Sequence, residues 1–330
     1  MRTYLGVDGG GSKTRFLLLG ETGEVLASHT EGPAYHLEIG LDALPAMLAQ
    51  GIITTLQQGG VAAVNLTFAF LGLPAYGEDR SLVPVLDAAP SSALPAGRYR
   101  CGNDMMCGWA GALAGEDGIN IVAGTGSIAY GEYQGRSARS GGWGELFSDE
   151  GSAYWLAREG LRLFSRMSDG RTPRGALYEC VRRHFGLQND LDLCAAIYGK
   201  SAAQRSQLAR LSKLVAEAAS AGDVQAAALF GQAAHELAEI VDAVRDQLQV
   251  PPTLDLPVSY SGGLFQLRDL LLSPLQAALK TRARNYRFLP ARLPPDAGAA
   301  LYAAKLNGTP LTAASVATLE SHVRAVNEDR

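Results

Sequence analysis

The 330-residue sequence predicts an α/β protein of two related domains facing a common cleft. Three observations carry this. The length suits two domains of ~150 residues better than one. A β-meander with a glycine-rich first turn opens the chain, and the same rhythm of strand, glycine turn, strand, polar turn and strand returns near residue 119. Beyond residue 151 the composition becomes alanine-rich and helix-favouring, so the second half gains helices that the first lacks. The expected division is 1–117 and 118–330, the latter with a helical insertion at about 154–250.

In order along the chain, the first meander reads as strands over 3–7, 14–19 and 24–30 around glycine and polar turns. A helix is expected over 41–59, a buried strand over 65–71, and a strand at 98–101 followed by a short helix over 105–114. The second meander places strands at 119–123, 128–133 and 136–140. Helices are then predicted over 154–166, 175–185, 202–221 and 223–249. Pro251, Pro252 and Pro257 stop that run and lead into a strand at 258–260, a glycine turn and a helix over 265–280. A closing alanine-rich helix over 296–305 opens with Asp296, a residue type favoured at helix starts.

Composition narrows the function. Apolar residues at 47% and charged residues at 19% describe a globular chain rather than a disordered or fibrous one. A net charge of −4 without a Lys/Arg run provides no footprint for nucleic acid or an anionic membrane, so a small-molecule partner is expected. Apolar stretches fall far short of the ~20 residues that span a bilayer. The first residues enter a strand pattern directly, without the features of a signal peptide, and a cytoplasmic protein is expected. Cys101, Cys107, Cys180 and Cys194 lack C-x-x-C spacing and read as buried reduced thiols.

Five segments carry chemistry. In Asp8-Gly9-Gly10-Gly11-Ser12-Lys13-Thr14, three glycines after a strand leave backbone amides free to converge on an anion. This is no Walker loop, because Ser12 stands where that pattern needs glycine before the lysine. Asp8 is placed to hold a water-coordinated Mg²⁺ on phosphates; the plainer alternative is a tight hairpin with Asp8 capping a turn. Gly124-Thr125-Gly126-Ser127 repeats the logic and is expected to grip a nucleotide's phosphates. With Ala129 it also spells the dinucleotide fingerprint, but a dinucleotide loop runs into a helix, whereas residues 130–135 read as strand and turn. Asn103-Asp104 puts a carboxylate between strand and helix, where phosphoryl transfer to an alcohol wants a base; the alternative is a simple N-cap. Finally, the loop from Ser140 to Ser152 mixes Gly142, Trp143 and Asp149 with other glycines and carboxylates. These are sugar-pocket materials, carboxylates for hydroxyls and an apolar wall for the ring face. The alternative makes Ser148 or Asp149 a helix cap and Trp143 core. The turn Ser261-Gly262-Gly263 offers flat backbone to an adenine, or is only a strand-to-helix turn.

Together these segments resemble the BadF/BadG-type ATPase family, in its branch of N-acetylglucosamine and glucosamine kinases. The blocks are GVDGGGSKT at 6–14, GLPAYGE at 72–78, ND at 103–104, AGTGSIAYG at 123–131, GGWG at 141–144, DEGSAYW at 149–155 and PPDAGAALYA at 294–303. The resemblance implies two actin-like (ribonuclease H-like) domains flanking an interdomain cleft, and ATP-dependent phosphorylation of an amino sugar at its 6-hydroxyl. It implies ATP and Mg²⁺ as cofactors, the metal associated with Asp8 through water, and a homodimer. The family's catalytic base falls on Asp104 and its sugar carboxylate on Asp149. The remaining nucleotide contacts fall on residues 9–14, Thr125, Gly126 and Ser261 to Gly263. The sugar contacts fall on Asn103, Gly126, Ser127, Gly142 and Trp143. Two asparagines of the animal kinases correspond here to Ile128 and to Tyr35-His36, which makes Tyr35 and His36 candidates beside the sugar's substituent. Ser148 stands where relatives usually carry glycine.

Two rival functions follow from the same segments. An ATPase that activates a dehydratase or reductase through an iron–sulfur cluster needs cysteine thiolates near the second phosphate turn, and no cysteine lies between Cys107 and Cys180. A non-catalytic sugar sensor would not need the set of Asp8, Asp104 and the 124–127 turn.

Overall fold

A computed structural model describes residues 1–199 and 204–328. In chain order its elements are β1 (Thr3–Gly9), β2 (Thr14–Gly20), β3 (Val25–Glu31), α1 (His36–Ile39), α2 (Ala43–Gln58), β4 (Phe68–Leu73), α3 (Val83–Ala88), β5 (Tyr99–Asn103), α4 (Met105–Leu113), β6 (Gly118–Ala123), β7 (Ser127–Tyr133), β8 (Arg136–Gly141), α5 (Ala153–Ser168), α6 (Ala176–Phe185), α7 (Asp192–Tyr198), α8 (Arg205–Ala209), α9 (Ser212–Ser220), α10 (Val224–Gln247), β9 (Leu256–Ser261), α11 (Ser273–Lys280), β10 (Tyr286–Pro290), α12 (Pro295–Leu306) and α13 (Ala313–Glu328). The chain divides into two units, one formed by Met1–Asp117 with the chain from Pro290 onward, the other by Gly118–Leu289.

In the first unit the sheet order is β3-β2-β1-β4-β5. The β1–β2 and β2–β3 pairs are antiparallel, whereas β1, β4 and β5 run parallel. Strand alternation sorts the apolar residues onto two faces. Leu5, Val7, Phe16 and Leu18 pack with Leu44, Leu48, Ile52 and Leu56 of α2, while Leu17 and Leu19 join Ala297, Ala300 and Leu301 of α12 and Leu319 of α13. Each fully buried aliphatic side chain contributes roughly 1.5–3 kcal/mol.

The closing helix corrects the expected division. Residues 290–328 do not extend the second domain; α12 lies on β1 and α4 of the first unit. Absent side chains permit this. A Cβ on Gly6 would land on the backbone of Asp296 and Ala300, and one on Gly298 on the backbone of Cys107 and Gly111. Long-range packing of this kind leaves no local signal beyond the glycines themselves.

The second unit repeats the strand plan, with order β10-β9-β6-β7-β8. In both sheets the unit's first strand is central, flanked by its second and third on one side and its fourth and fifth on the other. The β6–β7 and β7–β8 pairs are antiparallel and β6–β9 is parallel. Ile119 and Ile121 of β6 share a core with Leu156 and Phe164 of α5 and with Leu237, Val241 and Val244 of α10. The helix α10 begins at a true cap, the Asp223 carboxylate accepting from the amides of Gln225 (3.0 Å) and Ala226 (3.1 Å).

Other boundaries differ for physical reasons. The helix expected over 202–221 is two helices, α8 and α9, and residues 202 and 203 lie outside the described ones. The helix expected over 265–280 is α-helical only from Ser273, after a 3₁₀ turn over Gly263–Gln266 and a π turn over Arg268–Leu272. Pro274 has no N–H for the carbonyl four residues back, so the regular ladder cannot run through it. Cys101, Cys107 and Cys180 are buried, but Cys194 is exposed, contrary to expectation. Among the described residues no helix is long and apolar enough to cross a membrane.

Candidate active site

The first unit gathers acids at the C-terminal ends of its parallel strands, the edge where open α/β sheets place ligands. Asp8 ends β1 opposite Gly72 of β4, which itself pairs with Gly102 of β5. On one face, a Cβ at Gly72 would collide with the Cys107 thiol and come within 3.0 Å of Asp104 Cα, so this glycine lets the start of α4 settle onto the sheet beside Asp8. Asn103 Oδ1 accepts from the Met105 amide at 3.1 Å, and its Nδ2 donates to the Tyr76 carbonyl at 3.2 Å. Asn103, expected among the sugar contacts, is thereby committed to tying the 72–78 turn to α4. Asp104 is the residue before α4, yet its side chain makes no capping hydrogen bond. The plainer alternative, a simple cap, does not describe it.

Burial pushes the Asp104 carboxyl up to about 6, opposed by the backbone amides of Met105 and of Asp104 itself and reinforced by nearby Glu78. Burial also pushes Asp8 up to about 7, reinforced by the charges of Asp104 and Asp296 and opposed by Arg15 and Lys13. Asp296, second residue of α12, was legible only as a helix opener; its Oδ1 is buried without a hydrogen-bond partner among the described residues. The Cys107 thiol, beneath these acids, is driven well above the usual range by burial and then by Asp8.

The turn from Gly9 to Lys13 joins β1 to β2 as a hairpin, with Gly9 opposite Thr14. Gly10 accepts from the Ala34 amide at 3.0 Å, and a Cβ at Gly11 would meet nothing within 4 Å. Gly11, Ser12 and Lys13 are exposed, whereas Thr14 is buried and donates its hydroxyl to the Gly32 carbonyl at 2.8 Å, pinning the hairpin. Tyr35 precedes α1, and His36, 6% exposed, has a buried Nδ1 without a partner among the described residues.

The second unit gathers its candidates on the turn between β6 and β7. The amides of Ala153 and Tyr154, at the start of α5, donate to the carbonyls of Gly124 (2.9 Å) and Thr125 (3.2 Å) and hold that turn. Ser127 Oγ donates to the Glu150 carbonyl at 2.7 Å, and the Ser127 amide points at Asp149 Oδ1 at 3.4 Å. Asp149 sits in the left-handed region at φ 59°, and its side chain is 2% exposed. It does not cap α5; Ser152 does, accepting from the Trp155 amide at 3.1 Å. Ser148 donates to Glu150 Oε2 at 3.2 Å.

Asp149 is paired with Arg205, which also places Nε 3.2 Å from Glu145 Oε2. Arg205 lies 56 residues away in an alanine-rich stretch without a motif, and sequence reasoning missed it. A Cβ on Gly126 would lie 2.5 Å from Arg205 Nη2 and 2.8 Å from Asp149 Oδ2, so any larger residue here forces this pair to shift. Trp143 is 69% exposed rather than core, with Arg139 over its ring at 5.6 Å, and Gly142 beside it has φ 69°. The turn at Ser261 lies next to the turn at 124, since Val122 pairs with Ser261 and Asn120 Nδ2 donates to Ser261 Oγ at 3.3 Å. Gly262, at φ 105°, packs against the Ala123 carbonyl.

Two units of one strand plan, each setting a glycine turn beside buried carboxylates, define an actin-like α/β protein of the sugar-kinase type. The BadF/BadG/BcrA/BcrD ATPase family model matches residues 5–303, and the chain belongs to that family. It is 26% identical over 309 residues to the N-acetyl-D-glucosamine kinase of Dictyostelium discoideum, covering 91% of this chain and 97% of the other. It is 30% identical over 253 residues to the N-acetylmuramic acid/N-acetylglucosamine kinase of Clostridium acetobutylicum, covering 76% and 81%. A solved structure from Chromobacterium violaceum, provisionally named an N-acetylglucosamine kinase, superposes with a TM-score of 0.68 at 29% identity, covering 91% of this chain and 98% of that one.

Proposed function

We propose that the protein transfers the γ-phosphoryl group of ATP to the 6-hydroxyl of an amino sugar, glucosamine or N-acetylglucosamine. Its family and its kinase relatives make it an ATP-dependent carbohydrate kinase; the hydroxyl and the roles below are our reading. The observation that carries it is Asp104, a carboxylate at a strand end that does not cap α4 and whose proton affinity is raised toward neutrality despite the backbone amides of Met105 and Asp104. Such a group takes the proton of the attacking hydroxyl while the sugar oxygen bonds to the γ-phosphorus and the bond to the ADP oxygen breaks.

Asp149 accepts hydroxyls of the sugar, Trp143 and Gly142 line its apolar side, and the turns at 9–13, 124–127 and 261–263 hold ATP. His36, with a buried and unpartnered ring nitrogen, is suited to a polar substituent on the sugar. The donor set fits Mg²⁺. Asp8 and Asp296 offer hard oxygens, and Asp296 Oδ1 is buried without a hydrogen-bond partner among the described residues. Bound there, Mg²⁺ would neutralise charge on the phosphates. A cytoplasmic location and a homodimer complete the reading, the latter tested by sedimentation.

The test is ADP release measured across glucosamine, N-acetylglucosamine, N-acetylmuramate and glucose, with the product's phosphate position assigned by ³¹P–¹H NMR. Preference for an amino sugar with a 6-phosphate product is expected. Transfer to another hydroxyl, or preference for glucose, overturns the reading.

A further inference from the structure

Asp149 is an unusual place to keep a charge. Its side chain is almost wholly covered, its backbone is held in the left-handed region, and the one amide aimed at it, from Ser127, is distant at 3.4 Å. A carboxylate so desolvated holds its charge only with a partner. Arg205, first residue of α8, supplies it: one terminal nitrogen pairs with Asp149 while Nε lies 3.2 Å from Glu145, so the planar guanidinium is fixed at two edges above Gly126.

We propose that Arg205, oriented by Glu145, is the positioning residue that fixes the Asp149 carboxylate over the 124–127 turn for sugar binding. This rests on the reading of Asp149 as a sugar ligand. The Arg205 side chain is 42% exposed and spans two acids, so with both carboxylates ionised the cluster of Asp149, Glu145 and Arg205 carries one net negative charge. Sugar hydroxyls therefore meet an acceptor, not a neutralised pair. The charged groups acting on Asp149 are Arg205, which holds its carboxyl down, and Glu145, which pushes it up; burial is the larger effect and leaves it raised. Removing the guanidinium raises it further. The carboxylate then protonates at a higher pH as pH falls, and sugar affinity is lost earlier.

Arg205→Met keeps the length of the side chain and removes its charge. Calorimetric sugar binding to the intact protein, with steady-state kinetics from pH 5 to 8, should show sugar Kd and KM raised about 10- to 100-fold, kcat within about 3-fold and ATP KM unchanged. The acid limb of sugar affinity should move to higher pH. Arg205→Lys should restore part of the affinity and most of the pH profile, because it returns the charge without the fork. Asp149→Asn is measured beside them. Unchanged sugar affinity and acid limb in Arg205→Met, with Asp149→Asn impaired, overturns the role of Arg205 alone. Tighter sugar binding in Arg205→Met overturns it too, since the guanidinium would then occupy the sugar's place. An unimpaired Asp149→Asn overturns the reading of Asp149 itself.

Discussion

The two glycine turns sit on the same strand plan but compensate their acids by different partners. In the first unit the charges of Asp104 and Asp296 act on Asp8, Arg15 and Lys13 offset only part of that, and Asp8 and Asp104 are raised to about 7 and about 6. In the second unit the buried Asp149 is tied to an arginine, and that charge counters part of its desolvation. Acids whose charge is less offset bind protons or cations more readily; a direct arginine partner holds a carboxylate nearer its acceptor form. The duplicated scaffold thus separates a place suited to proton transfer from one suited to hydroxyl recognition, and the difference lies in the partners rather than the backbone.

The sharpest way to break this comparison is Asp104→Asn. It should lower kcat by roughly 100- to 10,000-fold with a smaller effect on ATP KM, and near-normal turnover would remove Asp104 as the base. In the parent enzyme kcat should fall as pH drops through about 6, where the Asp104 carboxylate takes up its proton. Asp149→Asn should instead act on affinity, raising sugar KM about 10- to 100-fold while kcat changes little, the loss expected for a hydrogen bond to a charged acceptor.

Stability tests the first unit's partly offset charge. The folded Asp8 carboxyl lies above its ordinary value of 3.8, so the native state binds the proton more tightly than the unfolded chain. The resulting penalty is absent below the unfolded value, grows as pH rises, and is complete above about 7. Asp8→Asn should therefore stabilise the protein at pH 8 by about 1–3 kcal/mol while impairing turnover, with the gain in Tm shrinking toward pH 4. No gain at pH 8 would mean that Arg15 and Lys13 already balance the cluster.

The smallest expected effect separates the two turns directly. Gly11→Ala, where a Cβ meets nothing within 4 Å, should leave folding within about 0.5 kcal/mol of the parent in urea unfolding. Gly126→Ala forces a methyl against the Asp149–Arg205 pair and should weaken sugar binding at least several-fold. Equal behaviour of the two variants would show that the pair can move aside.

Much of this was legible in sequence because it is local. Short apolar runs in TYLGVDG and TRFLLLG, glycine turns at fixed places, and a strand ending at Asn103 with Asp104 before a helix each declare themselves within a few residues. The long helix α10 was legible from its alanine-rich composition, while its cap at Asp223 was seen only in the structure. Roles within a motif were harder to read. Asn103 and Thr14 sit in recognisable blocks, yet their side chains are committed to the framework, because which polar group a buried side chain meets depends on a chain segment elsewhere.

By itself the sequence determined the duplicated α/β plan, the two turns and the acids beside them, since strand periodicity and glycine punctuation act over neighbouring residues. Only the tertiary structure decided that α12 belongs with the first unit, that Asp296 joins Asp8 in electrostatic range, and that Arg205 reaches Asp149. Those facts rest on close packing at glycines and on charge pairing in a desolvated setting, and both depend on distance in space rather than along the chain.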